Sequence, residues 1–351
     1  MRWRNLFVKN PTFLDACNMK EPAHTPVWFM RQAGRYLPSY RAMKGNRPVT
    51  EIAKDPELSS QVVVDAVKIL GVDAGILFAD IMLPLEGMGV EFKIEENVGP
   101  IVNNPIRTMD GVNALKVLDP EADVGYIFDG IKATLQKLDD EVPLIGFSGA
   151  PFTLAGYMIE GRPSRDLEKT KQMMYRQPET WHALMGALTK MVSAYLSGQI
   201  SHGVDAVQLF DSWVGCLSPS DYENYVARYT AEILRSLEGK VPRIHFCANS
   251  ASLFEQFVET GPDVLSVDWR MGISDAWDRS KGRVGIQGNL DPVLALAGGE
   301  AMLRGVRETV EQSKGRRGHV FSLGHGVLKE TPPENLREIV KVVHETTRRR
   351  A

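Results

Sequence analysis

Short apolar segments that each end near a polar residue recur along the chain. Each segment has four to six residues and contains few polar interruptions. Segments of this length and composition are typical of parallel β-strands that are covered on both faces. The pattern predicts eight strands, at residues 27–30, 74–79, 143–147, 206–210, 243–247, 264–267, 284–288 and 319–323.

Apolar residues at three- and four-residue spacing fill the gaps between these segments and predict helices. The clearest helix covers 178–200, where Pro178 suits the first helical position. Thr331 and Glu334 have the spacing of a capping box at the start of the last helix. The other predicted helices lie at 56–70, 218–239 and 331–343.

The alternation of strands and helices predicts an α/β fold. Eight strands favour a single (β/α)₈ TIM barrel over residues 1–351, with its active site at the C-terminal ends of the strands. A doubly wound open sheet is the alternative, because the number of strands does not show whether the sheet closes. Polar residues after nearly every strand favour the barrel, since barrel active sites lie at that end.

Composition narrows the class of protein. Hydrophobic residues make up 43% and charged residues 24% of the chain, and the formal net charge is −3. No basic excess is present, so nucleic acid and anionic membranes are not expected partners. The three scattered cysteines indicate a reducing compartment, and residues 1–10 lack the long apolar core of a secretory signal. Without an apolar run long enough to span a membrane, a cytoplasmic protein is expected.

Arg31 and Arg35 follow the first apolar segment four residues apart. A guanidinium offers five N–H donors in a fixed fork and is well suited to carboxylates and phosphates. Placing two of them at the end of a buried strand costs desolvation, which an anionic ligand would offset. Structural salt bridges explain the spacing equally well.

Asp80, Ser212 and His325 also follow predicted strands. Each residue alone is weak evidence, because a polar residue there can equally cap a helix or pair with an arginine. Together with Arg31 and Arg35 they would converge on one barrel mouth, and this convergence favours a binding or catalytic site.

Two other motifs have structural explanations. Residues 146–150 (GFSGA) nearly match a serine-hydrolase elbow, but Ala150 replaces the second glycine and no triad is evident. His245 and Cys247 are possible zinc ligands on one face of a strand. No third ligand stands at a recognisable spacing, so packing of both side chains in the core is favoured.

Two long motifs carry a family resemblance. Residues 26–35 (PVWFMRQAGR) resemble the first signature of the uroporphyrinogen decarboxylase family, and residues 146–161 (GFSGAPFTLAGYMIEG) resemble the second. The resemblance covers essentially the whole chain. Shorter matches lie at 210–215, 268–269, 287–292 and 323–326.

The resemblance implies a single barrel, a homodimer, and a carboxy-lyase that uses no metal and no organic cofactor. The substrate would be uroporphyrinogen III, whose four acetate arms would lose CO₂ to give coproporphyrinogen III in haem biosynthesis. Asp80 and Arg31 would be catalytic. By position, the substrate-binding residues would be Arg31, Gln32, Ala33, Gly34, Arg35, Asp80, Tyr157, Ser212 and His325.

The implied chemistry suits these residue types. Loss of CO₂ from an acetate arm requires an electron sink, and a protonated pyrrole supplies one. An ionised Asp80 beside the pyrrole N–H groups could stabilise the cation by an amount on the order of several kcal/mol. Asp80 must stay ionised for this role, and neighbouring arginines favour that state. Arg31 is the family's candidate proton donor, but a guanidinium is a very weak acid. A water held by Arg31, or a substrate carboxyl, is chemically easier.

Two departures from the family pattern are visible. Val49 stands in a stretch where family members commonly have phenylalanine. The His245 and Cys247 pair resembles that of cobalamin-linked methyltransferases with this barrel, although a further cysteine near the last strand is absent. A zinc-dependent methyltransferase and a non-catalytic tetrapyrrole-binding protein are therefore the alternatives. Zinc content and CO₂ release distinguish them from the decarboxylase.

Overall fold

The computed structural model describes residues 8–96, 98–249 and 251–349. Residues 1–7, which carry most of the stretch used to judge a secretory signal, lie outside the described part. Within the described residues, none of the helices combines the length and apolar character that crossing a membrane requires.

Nine strands are present in the described part of the chain. They are β1 (Gly75–Ile76), β2 (Phe92–Glu95), β3 (Gly99–Val102), β4 (Leu144–Gly149), β5 (Ala206–Asp211), β6 (Arg243–Cys247), β7 (Val264–Ser266), β8 (Gly285–Gln287) and β9 (His319–Val320). Seven of them form one parallel sheet in the order β1-β4-β5-β6-β7-β8-β9. β2 and β3 form a separate antiparallel pair.

Helices alternate with the strands of the parallel sheet and cover it. They are α1 (Thr12–Cys17), α2 (Pro38–Lys44), α3 (Val49–Lys54), α4 (Pro56–Leu70), α5 (Leu83–Gly87), α6 (Met109–Asn113), α7 (Pro120–Leu138), α8 (Pro151–Glu160), α9 (Glu168–Arg176), α10 (Pro178–Ser201), α11 (Pro219–Tyr225), α12 (Ala227–Ser236), α13 (Phe254–Glu259), α14 (Ile273–Ser280), α15 (Pro292–Ala297), α16 (Gly299–Gln312) and α17 (Pro333–Thr347). Short 3₁₀ turns lie at Val214–Cys216 and Ala251–Leu253.

Seven of the eight predicted strands are confirmed as members of this curled parallel sheet. The predicted first strand, 27–30, is wrong as a strand: it is reduced to a bridge between Val27 and Phe321. The Phe29 carbonyl instead accepts a hydrogen bond from the Gln32 N–H (3.0 Å), which turns the chain away from an extended path. Val27 still lies beside both ends of the sheet, because its carbonyl accepts from the Asp73 N–H at 2.8 Å.

The helix predictions succeed where proline and glycine mark the ends. α10 begins at Pro178, and α4 begins where the Asp55 carboxylate accepts from the N–H groups of Glu57 and Leu58. The predicted helix over 218–239 divides into α11 and α12 at Val226, whose φ of −128° is not helical.

The predicted capping box before the last helix is wrong. Pro332 occupies the N-cap position of α17, and no side chain caps this end. The Thr331 hydroxyl is buried and has no hydrogen-bond partner among the described residues. Two prolines fix the backbone here, so the helix begins two residues after the threonine.

A polar network crosses the interior of the curled sheet. The Trp28 indole N–H donates to Gln287 Oε1 (2.8 Å), and Gln287 Nε2 donates to Gln208 Oε1 and Ser266 Oγ, both at 2.9 Å. Hydrogen bonds between buried polar groups fix relative strand positions, because breaking one leaves a buried donor or acceptor unpaired. Segment 26–28 is thereby tied to β5, β7 and β8.

Candidate active site

The turn that carries Arg31 is built by its own neighbours. Arg31 has a φ of +64°, a left-handed conformation that a non-glycine residue adopts at a cost. Gln32 holds the turn, since its Oε1 accepts from the Phe29 N–H (3.1 Å) and its Nε2 donates to the Ala74 carbonyl (2.9 Å). A Cβ at position 34 would lie 2.7 Å from the Arg31 carbonyl oxygen, so Gly34 is required for this turn.

The side chain of Gln32 is therefore not available to the site. It is 1% exposed and its amide is used within the protein. Any contact between Gln32 and a ligand would have to come from its main chain. Ala33 and Gly34 lie in the same turn with partial exposure, beside the two arginines.

Both arginines of the turn have capacity for an anion. Arg31 and Arg35 are exposed. The structure gives Arg31 neither a side-chain hydrogen bond nor an ion pair within the described ranges. Arg35 has one long contact, 3.5 Å from Nη1 to Glu96 Oε1, and both side chains of this pair are largely exposed. Structural salt bridges, the alternative that the sequence left open, do not account for these two guanidinium groups.

Asp80 lies past the C-terminal end of β1 and is partly buried. Its Oδ1 accepts a hydrogen bond from the Met82 N–H at 2.9 Å. Burial raises the pKa of Asp80 above its ordinary value, and the Met82 N–H and Arg31 oppose this only partly. The expectation that arginines favour an ionised Asp80 is thus correct in sign for Arg31, but burial outweighs this effect.

Tyr157 lies on α8 within the electrostatic influence of the same two groups. Burial raises the pKa of its phenol, the Asp80 carboxylate raises it further and Arg31 opposes the change. The ring meets that of Trp213 edge to face at a centroid distance of 5.9 Å. Tyr157 remains a neutral hydrogen-bonding group at ordinary pH, beside both predicted catalytic residues.

Ser212 follows β5 directly and is partly exposed. Its two neighbours are held by one hydroxyl: Thr153 Oγ1 donates to Asp211 Oδ1 (2.9 Å) and accepts from the Trp213 N–H (3.4 Å). These contacts fix the backbone on both sides of Ser212. Sequence reasoning missed Thr153 and Trp213, although both lie within the quoted motifs.

His325 lies in the turn that follows β9. Burial is the main reason why its pKa falls to about 4, and the nearby Arg31 lowers it further. The imidazole is therefore neutral at physiological pH and offers one N–H donor and one acceptor. A Cβ at the next residue, Gly326, would lie 2.6 Å from Arg31 Cδ, so the arginine stem packs directly against this turn.

The predicted residues thus divide into two groups. Arg31, Asp80, Tyr157 and His325 are brought together, since each of the last three feels the charge of Arg31. Arg35, Ser212, Ala33 and Gly34 lie at the same end of the sheet. Val49, where an aromatic was expected from the family pattern, is the partly buried first residue of α3.

The motifs interpreted as structural are buried. The Ser148 hydroxyl is inaccessible and donates to the Gly149 carbonyl (3.2 Å), so it does not form a nucleophile elbow. His245 and Cys247 are in the core as predicted, with 3.4 Å between Nε2 and Sγ. His245 Nε2 also lies 3.8 Å from Asp211 Oδ2.

Asp73 lies at the opposite end of β1 with two histidines. Nε2 of His24 lies 2.9 Å from Oδ1, and Nε2 of His344 lies 2.7 Å from Oδ2. Asn10 Nδ2 and the Val27 N–H donate to the same carboxylate, at 3.1 and 2.8 Å. The three ligand-type atoms are close enough to hold a metal ion. Four hydrogen bonds already account for both oxygens, however, so this cluster is explained as a structural network.

The sequence matches the model of the family described as uroporphyrinogen decarboxylase (URO-D) over residues 8–346. A uroporphyrinogen decarboxylase from Carboxydothermus hydrogenoformans is 47% identical over 337 residues, which is 96% of each chain. Those from Sorangium cellulosum and Trichlorobacter lovleyi are 44% and 45% identical, over 96% and 97% of this chain and 96% and 100% of the relatives.

Solved structures support the fold. A methyltransferase from Methanosarcina mazei superimposes with a TM-score of 0.81 at 18% identity, covering 97% of this chain and 99% of that one. A B12-independent methionine synthase from Shewanella sp. W3-18-1 gives a TM-score of 0.55 at 10% identity, covering 83% and 88%. At these identities the likeness concerns the fold alone. The full-length match to the family model and to its named relatives shows that the chain belongs to the uroporphyrinogen decarboxylase family.

Proposed function

We propose that this protein is a carboxy-lyase that removes CO₂ from the four acetate side chains of uroporphyrinogen III and releases coproporphyrinogen III. Full-length similarity to relatives named for this activity supports the proposal. The geometry that carries it is Asp80, a partly buried carboxylate whose one hydrogen bond among the described residues comes from the main chain. The charge of Arg31 acts on this carboxylate, and the Arg31 guanidinium has no hydrogen bond or ion pair among the described residues.

In this proposal Asp80 stabilises a transient positive charge. Protonation of a pyrrole carbon makes the ring cationic, the C–C bond to the carboxylate breaks, and its electrons flow into the ring as CO₂ leaves. A proton then adds to the exocyclic carbon to form the methyl group, and the ring loses the proton it had gained. An ionised Asp80 that accepts hydrogen bonds from the pyrrole N–H groups stabilises the cationic ring more than the neutral ring.

The remaining residues bind. Arg31 and Arg35 take substrate carboxylates, for which a guanidinium fork is well suited. Neutral His325 and the Tyr157 phenol contribute hydrogen bonds without adding charge, and Ser212 completes the pocket. Three groups can deliver the proton: Arg31, a water that it holds, and a substrate carboxyl.

The proposal includes a single-domain closed barrel in which residues 26–28 take the place of the eighth strand. Hydrogen bonds on both sides of this segment support it: the Phe321 N–H donates to the Pro26 carbonyl, and the Asp73 N–H donates to the Val27 carbonyl, both at 2.8 Å. The homodimer implied by the resemblance and the cytoplasmic location expected from the sequence stay predictions.

Anaerobic incubation with uroporphyrinogen III, followed by oxidation and chromatography of the porphyrins, tests the activity. We expect coproporphyrin and intermediates of stepwise decarboxylation, with one CO₂ released per lost carboxyl. A chelator should leave the rate unchanged, because the proposed electron sink is the substrate itself. Tight binding without CO₂ release would contradict the proposal and favour a tetrapyrrole-binding protein. Loss of activity on chelation, restored by zinc, would contradict the cofactor-free chemistry.

A further inference from the structure

A rigid turn that carries a partly exposed arginine, Arg270, follows β7 at the same end of the sheet as Asp80. The buried Asp268 accepts at Oδ1 from the Arg270 N–H (2.9 Å) and at Oδ2 from the Asn249 N–H (2.7 Å). Arg270 Nη1 donates to the same carboxylate at 3.0 Å. The guanidinium stacks over the Trp269 ring, with its carbon 4.2 Å from the ring centroid.

The backbone of this turn is held by a side chain that follows the neighbouring strand β8. Asn289 Nδ2 donates to the carbonyl oxygens of Asp268 (2.9 Å) and Met271 (2.5 Å). Asn289 itself is buried, so these bonds are shielded from water. Arg270 is thus oriented before any ligand arrives, which reduces the entropy lost on binding.

The turn that carries His325 lies between this cation and Arg31. A Cβ at Gly324 would come within 2.7 Å of the Trp269 backbone nitrogen, and a Cβ at Gly326 would come within 2.6 Å of Arg31 Cδ. One side of the His325 turn therefore packs on the Trp269 backbone and the other on the Arg31 stem. Burial is the largest cause of the low pKa of His325, and the charges of Arg31 and Arg270 lower it further, which agrees with this arrangement.

Arg270 differs from an arginine that serves only the fold. Arg243 is 7% exposed and uses Nε and Nη2 on Asp263 and Nη1 on the Leu234 carbonyl. Arg270 keeps half of its side chain exposed and uses one of its guanidinium nitrogens on Asp268. The other N–H donors of its fork have no protein partner within the described residues. These oriented donors form a preorganised site that can bind a carboxylate.

We propose that Arg270 binds a side-chain carboxylate of the substrate, with the His325 turn separating it from Arg31. The inference rests on the proposed function, which supplies the ligand class: a flat tetrapyrrole with carboxylates around its edge. Arg31 and Arg270 then hold carboxylates on the two sides of His325, which suits a macrocycle with several carboxylates better than a small monocarboxylate. Arg270 acts in binding and takes no part in the proton transfers.

The test compares R270Q with R316Q. Arg316 is a matched control, because it also lies over a tryptophan (Trp277, 5.7 Å) and pairs with an aspartate (Asp278, 3.0 Å), but it is anchored on α14 and not beside His325. Two quantities are measured: steady-state kinetics with uroporphyrinogen III, and the Kd of unreactive uroporphyrin from fluorescence quenching. Thermal unfolding of each variant is followed in parallel.

We expect R270Q to raise both KM and the uroporphyrin Kd about tenfold, the loss of one charge-assisted contact, with kcat within about twofold. R316Q should match the wild type. Because lysine lacks the fork, R270K should restore only part of the affinity. Unchanged KM and Kd in R270Q overturn the inference, as does a loss confined to kcat. If R270Q does not fold, R270K with wild-type KM and Kd overturns it.

Failure of the proposed function has a different signature. In that case the wild type binds uroporphyrin but releases no CO₂ from uroporphyrinogen III, and the Kd series still tests Arg270 as a carboxylate-binding residue. Wild-type turnover combined with a normal Kd for R270Q rejects the inference and leaves the function standing.

Discussion

Asp73 and Asp80 lie before and after β1, and their carboxylates differ in the number of hydrogen-bond partners and in the direction of their pKa shifts. Asp73 is 3% exposed as a side chain and accepts four hydrogen bonds, two of them from histidines. Although burial alone would raise it, the pKa of Asp73 lies well below its usual range because of His24, His344 and the Val27 N–H. The pKa of Asp80 is instead raised, since burial outweighs its few partners.

The difference separates a structural group from a functional one. At the N-terminal end of the sheet, the charge of Asp73 is fully used to join the 10–27 segment, β1 and α17. At the C-terminal end, Asp80 and Arg31 influence each other electrostatically, and neither forms an ion pair with a side chain of the described residues. Retaining such groups costs stability, and a ligand that supplies the missing partners explains why they are tolerated.

Replacing Asp73 should produce the largest effect on stability. D73N removes the charge that two histidines and a main-chain N–H share, and we expect a loss of about 3 kcal/mol in the free energy of unfolding. Turnover per folded molecule should stay near the wild-type value. Because the folded-state pKa of Asp73 is lowered, its contribution is present above the unfolded pKa and is lost as pH falls through the folded pKa.

Denaturant titration at neutral and acidic pH measures this effect. The matched control is D139N, since Asp139 is an exposed partner of Lys9, and no measurable loss is expected there. Wild-type stability in D73N, or loss of turnover in the folded D73N protein, would contradict the assignment of a structural role to Asp73.

Gly326 supplies a smaller and more local test of the C-terminal end. G326A places a methyl group 2.6 Å from Arg31 Cδ and 2.9 Å from Cγ, so the arginine stem must move. We expect KM to rise about tenfold, roughly 1.4 kcal/mol, with little change in unfolding. In the control G186A, the new methyl group contacts nothing within 4 Å, and KM should be unchanged. A normal KM in G326A would indicate that the position of Arg31 does not matter.

The pH dependence of kcat/KM gives the finest test. This ratio reports ionisation in the free enzyme and free substrate. Because Asp80 acts as a carboxylate with a raised pKa, activity should fall on the acid side at a pH above the ordinary aspartate value. Substrate carboxyls titrate nearby, so D80E is the control: it should move a limb set by residue 80 and leave a substrate limb in place. A limb that does not move would assign the ionisation to the substrate.

The sequence indicated Asp80 because it follows an apolar strand, the place where barrel enzymes keep their chemistry. It could not indicate the role of Asp73, because His344 is 271 residues away and becomes a partner only in the folded chain. For the same reason the sequence does not show the net direction of the Asp80 pKa: the arginines that lower it are visible in the motif, whereas the burial that raises it is a property of the packed structure.

The fold shows the same contrast between features that the local sequence reveals and features that depend on packing. Continuous apolar strands and helices marked by proline were located from local pattern alone. The 27–30 segment failed because Phe29 and Gln32 form a turn by a hydrogen bond that periodicity does not reveal. The β2–β3 hairpin was missed, since its strands are half-buried and lack a continuous apolar run. Gln32 illustrates the limit for the site, because its position in the motif does not show that its amide faces inward.

The central claim is that Asp80 is kept underpartnered in order to stabilise a cation on the bound macrocycle. Its most direct test is the turnover number of D80N with uroporphyrinogen III under anaerobic conditions, on protein whose unfolding curve shows that it is folded. We expect kcat to fall by about 10²–10³-fold while stability is equal to or greater than that of the wild type. A folded D80N variant that turns over at the wild-type rate would contradict the claim.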